Sequence, residues 1–183
     1  MLSPNLETER LILRWYKVED VDIQYEIITD KRLSKYISFP NLSKVEELEC
    51  IKGWIKNADS SKYEKWVITL KDSGIAIGNI SVNVIEKRHN YCNVGYVIRY
   101  DYWGNGYASE ALEKVSNYLL NLGYYLVECS CNGLNTQSSK VMLKAGFKKD
   151  GYIANRRLNK DGSYSGVEYY SKRKIKNAKS NEY

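Results

Sequence analysis

Tyr102-Trp103-Gly104-Asn105-Gly106-Tyr107-Ala108-Ser109-Glu110-Ala111 sets two glycines one residue apart directly before a run of apolar residues at helical spacing. Ala108, Ala111, Leu112, Val115, Leu119 and Leu122 recur at i, i+3, i+4, i+7, i+11 and i+14, one buried face of a helix that Gly123 stops. Residues 91–99, rich in Tyr and Val, read as a strand, so the glycines sit at a strand-to-helix junction. The first N–H groups of such a helix lack partners and its dipole is positive there. Glycines also remove the Cβ atoms that would hold an anion off the backbone. The segment therefore reads as a phosphate cradle, set against a plain turn that binds nothing. A dinucleotide fingerprint would need a third glycine near Ser109 and a parallel βαβ context, although Glu128 stands near the ribose-binding distance. A P-loop would need Gly-Lys-Ser or Gly-Lys-Thr, which the segment lacks.

Working outward, residues 63–70, the turn Lys71-Asp72-Ser73-Gly74 and residues 75–85 read as a hairpin, with Gly78 marking a bulge. The strand at 91–99 follows a short polar loop, so an antiparallel meander feeds the glycines. After the helix come a strand over 124–131, a helix over 135–145 stopped by Gly146, and a hairpin turning at Asn159-Lys160-Asp161-Gly162. Upstream, residues 11–15 read as a strand and 18–28 as a helix, and Ser43 with Glu46 forms a capping box that opens a helix through Ile55. Residues 31–42, with Tyr36, Ile37 and Phe39, are a loop that either faces a substrate or packs. About seven strands and four helices make an α+β fold: one domain over residues 1–175 and a basic flexible tail over 176–183.

With 183 residues the chain can bury a real core, and 28 basic against 22 acidic residues give +6, an excess that suits an anionic ligand. Lys172, Arg173, Lys174, Lys176 and Lys179 crowd the C-terminus, and a solvated tail accounts for much of that charge. Four cysteines without a C-x-x-C pair, one histidine and no charged-then-apolar leader point to a reducing cytoplasmic setting and no metal site. Cys129 and Cys131 have strand spacing and share a face, while His89 lies in a polar loop, so no cysteine nucleophile with a base is expected. No apolar run approaches the roughly 20 residues that cross a bilayer, and a soluble protein is expected. The 17 tyrosines and four tryptophans would suit stacking on single-stranded nucleic acid. They are scattered over predicted strands, however, where aromatics serve core and sheet faces.

Four stretches resemble the GNAT superfamily of acetyl-CoA-dependent N-acetyltransferases, in particular its ribosomal-protein alanine/serine N-terminal acetyltransferase branch. They are Leu6-Glu7-Thr8-Glu9-Arg10-Leu11-Ile12-Leu13-Arg14; Val94-Gly95-Tyr96-Val97-Ile98 leading into Tyr102–Ala111; Asn135-Thr136-Gln137-Ser138; and Lys144-Ala145-Gly146-Phe147. The family's pyrophosphate loop, Q/R-x-x-G-x-G/A, is matched at residues 103–108 with Trp103 in first place. The resemblance implies a GNAT fold with a mixed, mostly antiparallel sheet. It implies that Gly104, Asn105, Gly106, Tyr107, Ala108 and Ser109 hold the coenzyme A diphosphate. It gives the backbone of Tyr96, Val97 and Ile98 to the pantetheine arm and sets Lys140 near the ribose phosphate. Asn135, by its residue type also a plain N-cap, would bond the pantetheine amide or the incoming amine, and Ser138 would protonate the leaving thiolate.

The resemblance also marks departures. Many relatives carry Glu where this chain has Asn93, residues 153–158 offer only Arg156 and Arg157, and Glu168 lies beyond the hairpin. The expected reaction is therefore direct attack by a primary amine, its proton lost through water or a tyrosine. A peptide α-amine titrates near 8, which makes this workable. The implied acceptor is a protein N-terminal amine, although Gly166 stands where the family's last strand usually carries Asp. The alternatives are a small amine or antibiotic as acceptor, and a non-catalytic acyl-CoA-binding module. Neither membrane nor nucleic acid is an expected partner, and the chain is expected as monomer or homodimer.

Overall fold

The computed structural model describes residues 4–37, 41–58, 64–159 and 161–174. Two strands open the chain, β1 (Leu6–Glu7) and β2 (Leu11–Arg14). A 3-10 turn at Val18–Asp20 leads into three helices, α1 (Val21–Thr29), α2 (Lys31–Ser34) and α3 (Lys44–Lys56). The meander follows as β3 (Lys65–Leu70), β4 (Ala76–Glu86) and β5 (Tyr91–Ile98). Next come α4 (Tyr107–Asn121), β6 (Leu126–Asn132), α5 (Thr136–Lys144), β7 (Lys148–Leu158) and β8 (Tyr164–Arg173).

Eight strands form one sheet in the order β1-β2-β3-β4-β5-β6-β8-β7, where seven were expected. The added strand is the two-residue β1, and the added helix is the single turn α2, whose N-cap Asp30 accepts from the Arg32 N–H at 2.8 Å. Both are too short to carry a period, so no hydrophobic pattern announces them. The Ser43/Glu46 capping box opens α3 as expected. The basic tail at 176–183 lies outside the described residues.

Every neighbouring pair is antiparallel except β5 with β6. That parallel pair is short, with Tyr91, Cys92 and Asn93 opposite Leu126, Val127 and Glu128 and no pairing beyond. From Val94 and Cys129 onward the two strands diverge, and the sheet opens into a cleft. β6 stays rigid because β8 pairs it along its whole length, from Leu126↔Arg173 to Asn132↔Val167.

The main core lies between the sheet and α4. Ala111, Leu112, Val115 and Leu119 are buried there with Trp66, Ile80, Val94 and Val127. Leu122, placed by its spacing on the same face, is 55% exposed, because α4 stops at Asn121 and Leu122 becomes the C-cap. The expected bulge is real: Ile68 pairs with Gly78 and Thr69 with Ala76, which leaves Ile77 as the extra residue. Gly78 is required by contact, since a Cβ there would lie 2.2 Å from the Val97 carbonyl oxygen. At the C-terminal end Lys172 is part of β8, not of a tail; its half-buried ammonium donates to the Ala145 carbonyl at 3.0 Å and so caps α5. Arg173 likewise belongs to β8 and pairs with Asp150.

Candidate active site

The cleft between β5 and β6 continues into a cavity of about 650 Å3. Of the residues singled out in the sequence, Tyr96, Val97, Ile98, Gly104, Gly106, Tyr107, Ala108, Ser109, Asn135, Ser138 and Lys140 all line it. Asn105 does not. Its side-chain amide donates to the carbonyls of Tyr102 and Trp103, and its own carbonyl accepts from Arg10 at 3.0 Å. Glu128 and His89 also lie outside the lining.

The glycine loop has the geometry of an anion cradle. Gly104 and Gly106 sit at φ +82 and +81, and Gly106 is the N-cap of α4, so the free N–H groups of the first turn face the cavity mouth. Side chains at both positions would be strained. Two cations overhang Gly106: the Lys144 ammonium lies 3.4 Å and an Arg10 guanidinium nitrogen 3.6 Å from where a Cβ would stand. Lys144 follows Lys140 by one helical turn of α5, a spacing visible in the sequence but not used there. The Trp103 indole donates to the Ile98 carbonyl at 2.8 Å and folds the loop back onto the end of β5.

The loop is also held from behind by residues whose part spacing alone could not reveal. Glu110 accepts from the Thr8 hydroxyl, from the Arg10 N–H at 3.0 Å and from the Arg10 side chain at 2.8 Å. Burial opposes ionisation of Glu110, yet these bonds together keep its carboxyl below the usual range. The Arg10 guanidinium also lies 4.6 Å from the centre of the Tyr107 ring. The conspicuous Leu6–Arg14 segment thus acts about a hundred residues downstream, as a clamp on the cradle.

Inside the cleft, antiparallel alternation decides which backbone groups are free. The Arg99 N–H bonds the Ile77 carbonyl, so Gly95 and Val97 direct theirs to β4 while Tyr96 and Ile98 turn theirs toward the gap. The Ile98 carbonyl is then taken by Trp103. The Tyr96 backbone and the Ile98 N–H therefore remain available to an extended ligand.

Asn135 is indeed the N-cap of α5, its Oδ1 accepting from the Ser138 N–H at 3.1 Å, which leaves Nδ2 for the cavity. The Ser138 hydroxyl lies 2.8 Å from the Tyr96 hydroxyl. Burial pushes the Tyr96 phenol well up, against the lowering effect of its Ser138 bond, so it stays protonated and can donate toward Ser138. The family resemblance implies only a backbone part for Tyr96; its hydroxyl is a further polar group beside Ser138. Cys129 and Cys131 share the cavity wall as their spacing suggests, and burial raises both thiols, Cys129 to about 12. They remain thiols, and poor nucleophiles, at neutral pH.

Glu168 is tied up by neighbouring donors and lies outside the cavity lining. Its carboxylate accepts from Lys149, from the Ser139 hydroxyl at 2.7 Å and from the Tyr170 hydroxyl at 2.7 Å, in that order of effect, and is held at about 2. Among the described residues that line the cavity there is no Asp or Glu. The wall opposite α5 is instead a neutral ladder from β4: Asn79, Ser81 and Asn83. Asn83 is the extra residue of a bulge between the Val82↔Val94 and Val84↔Asn93 pairs, and Ser81 donates to it at 2.8 Å. Asn79 is oriented from outside the cavity. Its Nδ2 donates to Gln24 Oε1 at 3.0 Å, which also accepts from Tyr16, and Gln24 in turn bonds the buried Glu47.

Gly166, standing where an acid was expected, has a local cause. A Cβ there would lie 2.1 Å from the Tyr152 hydroxyl, so the Tyr152 ring fills that space.

The chain is 28% identical over 154 residues to the uncharacterised N-acetyltransferase YoaA of Bacillus subtilis, covering 83% of this chain and 87% of that one. It is 27% identical over 113 residues to the ribosomal-protein-serine acetyltransferase of Escherichia coli, covering 60% and 61%. In fold it resembles RimL, a ribosomal L7/L12 alpha-N-protein acetyltransferase solved with coenzyme A (TM-score 0.82, 19% identity, coverage 93% and 98%). It also resembles the microcin C7 self-immunity acetyltransferase MccE solved with acetyl-CoA and AMP (TM-score 0.81, 18% identity, coverage 94% and 98%). The acetyltransferase (GNAT) domain family matches residues 10–148, well over half of the 183, and the chain belongs to that family of acetyl-CoA-dependent N-acetyltransferases.

Proposed function

We propose that the acceptor is the α-amine of a protein N-terminus, acetylated by direct attack on acetyl-CoA held in the β5/β6 cleft. The observation that carries this reading is the cavity's second end. There Tyr36 and Ile37, after α2, line the cavity with Arg157 of β7, whose Nη1 donates to the Tyr36 carbonyl at 2.9 Å, and the neutral Asn79, Ser81 and Asn83 ladder offers uncharged polar groups to an extended chain end. The distant relationship to the E. coli ribosomal-protein-serine enzyme favours the same class of acceptor.

Bound acetyl-CoA supplies the thioester, and the residues of the chain do the rest. The α4 N-terminus with Lys144 and Arg10 holds the diphosphate, with Lys140 on the same face of α5 for a ribose phosphate. The Tyr96 backbone, the Ile98 N–H and Asn135 Nδ2 fix the pantetheine. Ser138, backed by the Tyr96 phenol, delivers a proton to the departing sulfur. No carboxylate takes the amine's proton, so the acceptor attacks as the neutral fraction it already has at working pH, near 8 for a peptide α-amine; the N–H proton it sheds on bonding the acetyl carbon passes to water, from which the Ser138 hydroxyl is restored.

A transfer assay with radiolabelled acetyl-CoA tests this over three groups of acceptors: N-terminal peptides, the same peptides with blocked α-amines and free lysines, and small amines including aminoglycosides. Label on unblocked α-amines alone is expected. Preferential labelling of the small amines would replace the protein acceptor with a small molecule, and tight acetyl-CoA binding without transfer to any member would leave a binding module.

A further inference from the structure

The cations of the cavity divide between its two ends. Lys140 and Lys144 stand on one face of α5, and Lys144 reaches the glycine loop. Arg157 comes from the other side, at the Tyr36 end, and among the described residues its one hydrogen bond runs from Nη1 to the Tyr36 carbonyl at 2.9 Å. Among the described residues no carboxylate pairs with Arg157, and none lines the cavity. A guanidinium carries five N–H donors, so most of those on Arg157 have no acceptor among the described residues. The position is built rather than incidental. β7 inserts three residues, Ala154, Asn155 and Arg156, against the single Gly166 of β8, and Asn155 takes φ 52, so the strand kinks just ahead of Arg157.

From this we infer that the acceptor carries an anionic group, a carboxylate or a phosphate, close to its reacting amine, and that Arg157 selects it. The inference rests on the acetyl transfer proposed above. Arg157 is the one cation at the acceptor end of the described lining, and its planar fork matches an oxyanion. The walls beside it are amides and hydroxyls, which tolerate a neutral amine but offer no counter-charge to a second ammonium. A polycationic acceptor meets Arg157 as a like charge. The opposite polarity, a negative group beside a neutral amine, satisfies both the free guanidinium donors and the absence of acids.

Two matched pairs test it in steady-state assays with acetyl-CoA: the amidated peptides Ser-Asp-Ala-Ala and Ser-Asn-Ala-Ala, and phosphoethanolamine against ethanolamine. The wild-type protein is expected to favour the anionic member of a pair by about tenfold or more in kcat/KM, the size of one charge-assisted contact. The pair that shows the preference tells whether the anion belongs to a peptide or to a small phosphate. In Arg157→Gln the ratio falls toward one, the loss falling on the anionic member, and in Arg157→Lys part of it remains. Equal use of both members by the wild type overturns the inference. So does an Arg157→Gln variant that slows both members alike, because a mere strap to Tyr36 would do that. Transfer to the neutral members alone would leave the acetyltransferase reading intact, whereas bound acetyl-CoA with no transfer to any of the four would overturn both.

Discussion

At the level of single residues, the proposed chemistry rests on one short contact, the 2.8 Å pair of Ser138 and Tyr96 hydroxyls at the start of α5. Asn135 and Ser138 were singled out through the family resemblance, since capping spacing by itself marks Asn135 only as the N-cap it is. Tyr96 as Ser138's partner was not, since nothing in the spacing of residues 96 and 138 brings them together. Ser138→Ala is expected to lower kcat by about a hundredfold, a usual loss for one positioned proton donor, with acetyl-CoA affinity little changed. Measuring kcat alongside coenzyme titration checks this. The pH profile follows from what is missing. Glu168 is already ionised and tied at about 2, and the Tyr96 phenol is pushed well up. Activity should therefore rise from pH 6 to about 8 with the acceptor's own amine and then level off. A limb near pH 6 that stays put when the acceptor is changed would contradict the assignment. The same logic gives the sign of the stability effect. Glu168 is depressed on folding, so its contribution is present above the ordinary carboxylate range and is lost as pH falls toward about 2.

At the level of elements, long periodic segments such as α3, α4 and β3 to β5 could be read directly, because each shows several turns or alternations of apolar residues. The glycine loop could be read too, as a strand-to-helix junction. What holds the loop could not: the Thr8/Arg10 clamp on Glu110 joins β1 and β2 to α4 across about a hundred residues. The Arg10 side chain is 44% exposed, so its ion pair with Glu110 is screened and worth about 1 kcal/mol. Its nearness to Gly106 would add a direct field on a diphosphate held there. Arg10→Ala is expected to weaken acetyl-CoA about tenfold by isothermal titration, with kcat at saturation largely kept. An unchanged affinity would mean that the cradle holds its shape without the clamp.

At the scale of the whole molecule, the deciding feature is the parallel β5/β6 pair that stops after three residues in an otherwise antiparallel sheet. Strand identities came from composition. The placement of β8 between β6 and β7, which makes β6 rigid while its other edge opens, is a tertiary choice that no local pattern encodes. In the reading proposed above, that opening takes cofactor and acceptor at the two ends of one cavity, and with no Asp or Glu among the described lining residues and both cavity thiols raised by burial, direct transfer is the reaction proposed. The most direct test is rapid-quench mass spectrometry of the protein mixed first with acetyl-CoA and then with an N-terminal serine peptide. The expected result is an unmodified protein throughout and acetyl appearing only on the peptide α-amine. An acetylated protein that forms before the peptide is added, and then passes its acetyl group on, would contradict the account.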